Sequence, residues 1–177
     1  MVKVLSHHDL DGITCVINIW NSIRNKQKFQ YRLTGYNYLE NAFKSLVKDS
    51  NNDLIWITDL NFNEQQMKML TEYKNCVKIL YIDHHVYTYD VDKVKNNSEY
   101  LFTKINRDFC GCLNTFLFLS NLYGKNPCQW NSNKEGLVEL NRIVDIYDRW
   151  QKHNPIFFEK SVPLNDLFWE YGYEKFF

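Results

Sequence analysis

The sequence predicts an α/β fold, with a parallel sheet of about five strands and helices on both faces. Short apolar runs rich in β-branched and aromatic residues alternate with segments whose apolar residues recur at helical spacing. Within the runs, successive residues are apolar, which is typical of strands that are buried on both faces. A length of 177 residues, with 45% hydrophobic and 24% charged residues, suits one domain with a full core.

The predicted elements alternate along the chain. An Asn63 cap begins one of the helices, residues 87–98 are expected to form a surface loop, and Pro155 and Pro163 precede the last helix. We expect a catalytic domain over residues 1–153 and a helical extension over 154–177, which begins a linker to a second domain. The strands are predicted at 2–5, 29–33, 54–57, 77–82 and 100–105, and the helices at 13–23, 40–48, 64–73, 113–122, 135–150 and 164–177.

Composition limits the partners and the cellular location that we expect for the protein. Lys plus Arg and Asp plus Glu both number 21, so no overall positive field attracts long nucleic acid or an anionic membrane. The first residues lack a signal peptide and no apolar run is long enough to span a bilayer. Five cysteines without paired zinc spacing indicate reduced thiols, most of them buried. We therefore expect a cytoplasmic protein with no membrane contact.

Three of the predicted strands end in carboxylates or imidazoles. In a parallel sheet these ends share one edge, and that edge is where open α/β sheets build their sites. Alternate residues of an extended segment point to one side, so the first group is expected to face a single point before Gly12 turns the chain into a helix. The groups are His7, Asp9 and Asp11; Asp59; and Asp83, His84 and His85.

Converging carboxylates repel one another unless cations neutralise them. Imidazole and carboxylate ligands without thiolates suit two divalent first-row ions, with Mn²⁺ the first choice and Mg²⁺ the alternative. Asp59, on a strand of its own, is well placed to bridge two ions. Such a pair activates water and stabilises both oxygens of a phosphoryl displacement, so the predicted chemistry is hydrolysis of a phosphate ester or anhydride.

The same residues carry a family resemblance. Ser-His-x-Asp-x-Asp-Gly at 6–12, Asp59 after a strand, and Asp-His-His at 83–85 resemble three motifs of the DHH phosphoesterase superfamily, over roughly the first 150 residues. The resemblance implies that His7 and Asp9 hold one metal ion, that Asp11 and His84 hold the other, and that Asp59 bridges them. It also implies that His85 contacts the scissile phosphate or protonates the leaving group, and that Asp83 orients an imidazole. The role of His8 stays open.

The fourth motif of the family is an aspartate on a later helix, and Asp145 and Asp148 are both candidates. A helical wheel with Leu137, Leu140 and Val144 inward keeps Asp148 closer to that face than Asp145, so Asp148 is the chosen metal ligand and Asp145 the reserve.

A second candidate phosphate contact is the turn before the helix at 113–122. Gly111 opens that helix, whose free N–H groups are predicted to receive an anionic oxygen, with Arg107 nearby. A surface ion pair is an equally good reading of Arg107.

The resemblance implies a phosphoesterase that acts on a nucleotide phosphodiester or phosphomonoester: a short oligonucleotide, adenosine bisphosphate or a cyclic dinucleotide. The alternative is a non-catalytic module that senses a nucleotide or docks a partner. A pyrophosphatase fits less well, because the first motif lacks the longer His-to-Asp interval of that branch. Many members carry a second, substrate-binding domain with a Gly-Gly-x-x-His-like motif, which does not occur in these 177 residues, so we expect such a domain or another copy of the chain as a partner. The aromatic residues of the C-terminal segment are expected to pack on the last helix rather than stack on bases; they are Trp150, Phe157, Phe158, Phe168, Trp169 and Tyr171.

Overall fold

The computed structural model describes residues 1–23, 28–48, 50, 53–73, 76–95, 99–123 and 134–175. Its sheet has five strands, all parallel, in the order β2-β1-β3-β4-β5. The predicted α/β class is therefore confirmed. The strands are β1 (Val2–His7), β2 (Phe29–Thr34), β3 (Asp53–Thr58), β4 (Val77–Asp83) and β5 (Leu101–Ile105).

Helices cover both faces of the sheet. The Asn63 cap is confirmed: its side chain accepts the Gln66 N–H at 2.8 Å, and the Gln66 side chain accepts the Asn63 N–H at 3.0 Å. No helix within the described ranges is both long and apolar enough to cross a bilayer. The helices are α1 (Leu10–Ile23), α2 (Leu39–Val47), α3 (Glu64–Glu72), α4 (Val91–Lys95), α5 (Gly111–Tyr123), α6 (Lys134–Asp148) and α7 (Val162–Tyr171).

Two apolar cores form, one on each face of the sheet. Alternate residues of a strand enter opposite cores, so Val4 packs with α1, α5 and α6, whereas its neighbour Leu5 packs with α2 and α3. The middle strands β1, β3 and β4 are almost fully buried, while the edge strand β2 is half-exposed. The continuous apolar runs in the sequence thus mark strands that have a core on both sides.

Some local predictions were wrong. The stretch from Tyr87 to Ser98, expected as a loop, contains α4. α6 ends at Asp148 because Trp150 has a left-handed backbone with φ 55°, and the chain then turns through a π-helical segment at Phe157–Ser161 before α7. Pro163 lies in the first turn of α7, where a missing N–H costs nothing.

The aromatic C-terminal segment only partly packs as expected. Phe157 and Phe168 are buried, each 1% exposed. Trp150, Phe158 and Trp169 are instead more than half exposed. Among the six aromatic residues only these two are fully buried, while Trp150 still contacts Tyr147 of α6, with ring centroids 5.8 Å apart. Residues 176–177 lie outside the described ranges, as does Gly124 at the expected end of α5.

The strand order fixes where a site can form. From β1 the chain moves outward to β2, and then returns across β1 to β3 and onward to β5. The direction of winding therefore reverses between β1 and β3, and ligands bind open α/β sheets beyond the carboxyl ends of the strands at such a reversal. β1 and β3 end at His7 and Thr58.

Candidate metal centre

The end of β1 delivers His7 and Asp9 to this edge. Asp9 caps α1: its Oδ1 accepts the Gly12 N–H at 2.9 Å, and its carbonyl accepts the Ile13 N–H at 3.0 Å. Its Oδ2 lies 2.7 Å from His7 Nδ1. The predicted alternation along an extended segment was wrong here, because β1 ends at His7 and Asp11 already lies in the first turn of α1.

Gly12 is required by a close backbone approach, not by a turn. A Cβ at this position would lie 2.1 Å from the His7 carbonyl oxygen, which no side chain tolerates. The Ser6 hydroxyl lies beside the same close approach, 2.9 Å from the Gly12 carbonyl oxygen and 2.8 Å from the Thr58 hydroxyl. These contacts hold the start of α1 against the ends of β1 and β3.

Asp11 joins the starts of two helices. It is 3% exposed, and its two oxygens accept the Gly111 and Cys112 N–H groups of α5, each at 2.8 Å. These N–H groups carry the positive end of the α5 dipole, so they stabilise a buried carboxylate. The N–H groups that we expected to receive a phosphate oxygen therefore already donate to the chain itself.

Gly111 instead lies in close contact with two aspartates, where there is no room for a side chain. A Cβ there would lie 2.8 Å from the Asp59 Cβ and 2.9 Å from Asp11 Oδ2. Arg107 is exposed and has no ion pair or hydrogen bond within the described residues. The Gly111 N–H is thus already paired with Asp11, and no contact joins Arg107 to the cluster within the described residues.

Asp59 lies in the middle of the cluster. It follows β3 with a left-handed backbone, φ 53°, which Asp tolerates better than most residues, and it is 2% exposed. Its Oδ1 lies 3.2 Å from His84 Nε2, while its buried Oδ2 has no hydrogen-bond partner among the described residues. Burial and the charges of Asp11 and Asp9 raise its pKa far above the ordinary value.

His84 connects three carboxylates. Its Nε2 lies 3.2 Å from Asp59 Oδ1, 3.7 Å from Asp11 Oδ2 and 3.8 Å from Asp148 Oδ2. Asp148 at the end of α6 therefore faces the cluster. Burial and the charges of Asp11 and Asp9 raise the pKa of Asp148 to about 8.

The reserve candidate, Asp145, has other partners. Its Oδ1 accepts the Cys110 N–H at 2.8 Å, and its Oδ2 lies 3.3 Å from Gln151 Nε2. The prediction that Asp148 lies closer to the buried face of α6 was wrong, since Asp145 is buried and Asp148 is exposed at the rim of the site. Asp148 reaches the cluster because α6 ends there, and not because its face of the helix is inward.

Asp83 and His85 form a separate hydrogen-bonded pair. The fully buried Asp83 places Oδ1 2.8 Å from His85 Nδ1, and its Oδ2 accepts the Tyr87 hydroxyl. On the other side of the ring, His85 Nε2 lies 3.2 Å from the Tyr36 hydroxyl. Burial lowers the pKa of His85, but the hydrogen bond and charge of Asp83 outweigh it, so the pKa is raised overall.

The residues at the three strand ends thus approach one another as small groups of ligand atoms. His7, Asp9 and Asp59 each offer an atom within 4.8 Å of the others, and so do Asp11, His84 and Asp148. Burial alone would raise the pKa of Asp9, but the adjacent His7 and the Gly12 N–H lower it below its usual value. Within the described part of the chain, the ion pairs of these carboxylates all involve histidines.

The donor set fits divalent cations. Imidazole nitrogens and carboxylate oxygens suit first-row divalent ions, and the unpartnered buried oxygen of Asp59 is a donor that a cation would satisfy. Two nearby thiols, Cys110 and Cys112, have sulfur atoms 3.4 Å apart near Asp11, but both are buried and their pKa values are raised mainly by burial, so they are held as neutral thiols.

Sequence reasoning missed two residues at this edge, Tyr36 and Tyr87, and left His8 without a role. His8, whose role was open, has Nδ1 3.3 Å from the Thr34 carbonyl oxygen. Tyr36 and Tyr87 supply the hydroxyls next to His85 and Asp83. Tyr36 follows the carboxyl end of β2, and that position was the available signal. Nothing in the sequence marks Tyr87.

Comparison with known proteins finds a similar curated protein and several similar solved structures, one of which is described below. No family model matches the chain. Oligoribonuclease NrnB of Bacillus subtilis is 28% identical over 180 aligned residues, which cover 99% of this chain and 43% of NrnB. An uncharacterized protein from Helicobacter pylori G27 superimposes with a TM-score of 0.65 at 21% identity, covering 86% of this chain and 44% of that one.

The two comparisons carry different weight. The Helicobacter pylori structure supports the fold alone, and this chain spans less than half the length of either protein. NrnB is a DHH-superfamily member and aligns with nearly the whole chain. The resemblance of this chain to the DHH phosphoesterase superfamily, predicted from its motifs, is confirmed by that similarity.

Proposed function

We propose that this chain is the catalytic domain of a divalent-metal-dependent phosphoesterase that hydrolyses the phosphodiester bonds of short oligoribonucleotides. The observation that carries the proposal is the convergence of two groups of ligand atoms on Asp59, with its buried, unpartnered oxygen between them. The name of NrnB supports this substrate class over adenosine bisphosphate and cyclic dinucleotides.

The proposed metal ligands divide into two sets. His7 and Asp9 would hold one ion, while Asp11, His84 and Asp148 would hold the other. Asp59 would contribute to both. Mn²⁺ is the expected ion, with Mg²⁺ as the alternative. Bound there, such ions supply Lewis acidity at the phosphoryl oxygens and lower the pKa of a bound water.

His85 would handle the proton of the leaving group. Because the Asp83 carboxylate can only accept, the proton on Nδ1 is fixed toward Asp83, and the raised pKa of His85 favours a second proton on Nε2. The Nε2–H would then be given to the departing ribose oxygen. Asp83 stabilises the imidazolium, and the Tyr87 hydroxyl keeps the carboxylate in place.

The chain would act together with a further substrate-binding element. Residues 1–153 are the proposed catalytic domain and residues 154–177 the proposed extension toward it. A second domain, or another copy of this chain, would hold the part of the oligonucleotide that extends beyond the metal centre.

The test is Mn²⁺-dependent hydrolysis of RNA dinucleotides and trinucleotides by the wild type, Asp59→Asn and His84→Ala. Loss of these ligands should lower the rate by at least about 100-fold, since each removes a group that fixes the metal charge at the reacting phosphate. Asp166→Asn, an exposed aspartate on α7, is the matched control and should retain the wild-type rate.

The outcomes separate the proposal from its rival. Equal rates in the wild type and both ligand variants would contradict metal-dependent catalysis at this centre. Mn²⁺ and nucleotide binding without turnover would instead indicate the non-catalytic sensing module.

A further inference from the structure

A cavity of about 850 Å³ adjoins the candidate metal centre. It lies between the end of β1, the end of β2 and the start of α2, and a short 3₁₀ turn, Tyr36–Tyr38, forms one wall. This volume lies within the range of small-molecule sites, roughly 300–1,000 Å³. Its lining includes His7, Tyr36, Asn37, Tyr38 and Asn41.

The cavity is continuous with the reacting groups. His7 belongs both to its lining and to the group of ligand atoms around Asp59. Tyr36 lies between the two: its ring centroid is 5.0 Å from that of His7, and its hydroxyl is 3.2 Å from His85 Nε2. A nucleoside in the cavity could therefore carry its phosphate directly to the candidate metal centre.

The side chains of the cavity suit a nucleobase. Tyr38 is 70% exposed and Tyr36 is 46% exposed, so both residues keep surface open to a ligand, although the Tyr36 ring also contacts His7. Aromatic rings of this kind stack on bases of any sequence. Asn37 and Asn41 carry amides that both donate and accept, as the edge of a base requires. The described lining contains Arg32 and no carboxylate, so it does not repel a phosphorylated ligand.

We propose that this cavity is a nucleobase subsite of the catalytic domain. It holds the nucleoside on one side of the scissile phosphate, with the base against Tyr38 and Tyr36 and its edge toward the two amides. The subsite rests on the proposed function for its role in hydrolysis, but not for its affinity for a base. When substrate binds, the leaving oxygen replaces the Tyr36 hydroxyl at His85 Nε2.

The first test measures binding without metal or phosphate. Adenosine and ribose are titrated into the metal-free protein by NMR, for the wild type, Tyr38→Ala and Phe158→Ala. Adenosine should bind where ribose does not, and Tyr38→Ala should weaken adenosine binding by about 5- to 150-fold, the usual loss for one stacked base. Phe158, 63% exposed on the π-helical segment, is the matched control, and its variant should bind like the wild type.

Two results would overturn the subsite. One is equal affinity for adenosine and ribose, and the other is an unchanged adenosine affinity in Tyr38→Ala. Both measurements use an uncharged nucleoside, so they are decisive even if the protein hydrolyses nothing.

The second test uses dinucleotides that lack one base. Tyr38→Ala should raise KM for an intact dinucleotide by a similar factor, and the penalty should vanish for the abasic analogue that lacks the base on the cavity side. The 5′-abasic and 3′-abasic analogues identify which side that is. A penalty of equal size on the intact substrate and both analogues would overturn the subsite. If the wild type cleaves no dinucleotide, the proposed function fails and the nucleoside titration alone decides the subsite.

Discussion

Gly111→Ala changes none of the proposed ligand atoms, yet it should damage the proposed metal centre. The added Cβ would lie 2.8 Å from the Asp59 Cβ and 2.9 Å from Asp11 Oδ2. Carbon atoms in contact prefer separations of about 3.5–4.0 Å, so one or both carboxylates must move by roughly 0.7 Å or more. Asp11 resists because two N–H groups of α5 hold it, and Asp59 resists because its backbone is left-handed.

This displacement is large for a metal ligand. Metal–ligand distances in working sites stay within about 0.2 Å of their usual values, and changes beside the ligands commonly cost about 10- to 100-fold in affinity. Overpacking should cost about 1–3 kcal/mol of folding stability, or a Tm roughly 2–12 °C lower in a chain of this size. We therefore expect a folded variant that binds Mn²⁺ at least about 10-fold more weakly.

The assay is a calorimetric Mn²⁺ titration, with circular dichroism melts in EDTA to establish folding. Gly35→Ala is the control, because its Cβ would meet only the His8 side chain, at 3.2 Å, and should leave Mn²⁺ affinity unchanged. A folded Gly111→Ala protein with wild-type Mn²⁺ affinity would refute the reasoning that this glycine sets the distance between Asp11 and Asp59.

Three further changes probe the charges and hydroxyls of the structure. Asp148→Asn should raise the Tm of the metal-free protein at pH 7 by about 2–4 °C, a figure reduced for the exposure of this group. The reason is that the raised pKa of Asp148 makes its ionisation in the folded protein unfavourable between about pH 4 and pH 8. Melts in EDTA should therefore show no gain in Tm at pH 4. Tyr87→Phe leaves the buried Asp83 oxygen without one of its hydrogen-bond donors and should lower kcat about 10-fold with KM unchanged. The loss of kcat should be largest on substrates with poor leaving groups. An equal loss on ribose and nitrophenolate leaving groups would argue against a role through His85. Lys3→Met removes a buried ammonium that contacts the Leu46 carbonyl at 2.8 Å and Asp53 at 3.3 Å, and should cost about 3–5 kcal/mol at pH 7 in urea unfolding. Burial raises the pKa of Asp53, but the Met1 and Lys3 ammonium groups lower it overall, so this contribution is present above about pH 4 and should shrink as the pH falls below that value.

The sequence predicted features that depend on short stretches of chain. A buried strand that ends in Asp83-His84-His85 is visible locally, because the apolar run and the polar residues after it are adjacent in sequence. Parallel pairing then follows from the alternation with helices, and it brings His7 and Asp59 to the same edge.

Features that depend on packing between distant elements were less accessible. The helical wheel misjudged Asp145 because it ignores the neighbouring Cys110 N–H, to which that carboxylate is bonded. The neighbours of Gly111 likewise come from α1 and from the residue that follows β3. Tyr87 acts through a hydrogen bond that no spacing rule anticipates. Close approaches and hydroxyl partners are set by the assembled tertiary structure, so a single sequence does not reveal them.

The strand order also has a consequence for how the protein folds. The central strand β1 comes first in the chain, yet the proposed metal centre would be completed by Asp148, at the end of α6. Each parallel pairing requires a crossover, and the closure of such long loops makes assembly slow. A partly folded chain that lacks a docked α6 would hold an incomplete ligand set, so tight metal binding would report on completed folding.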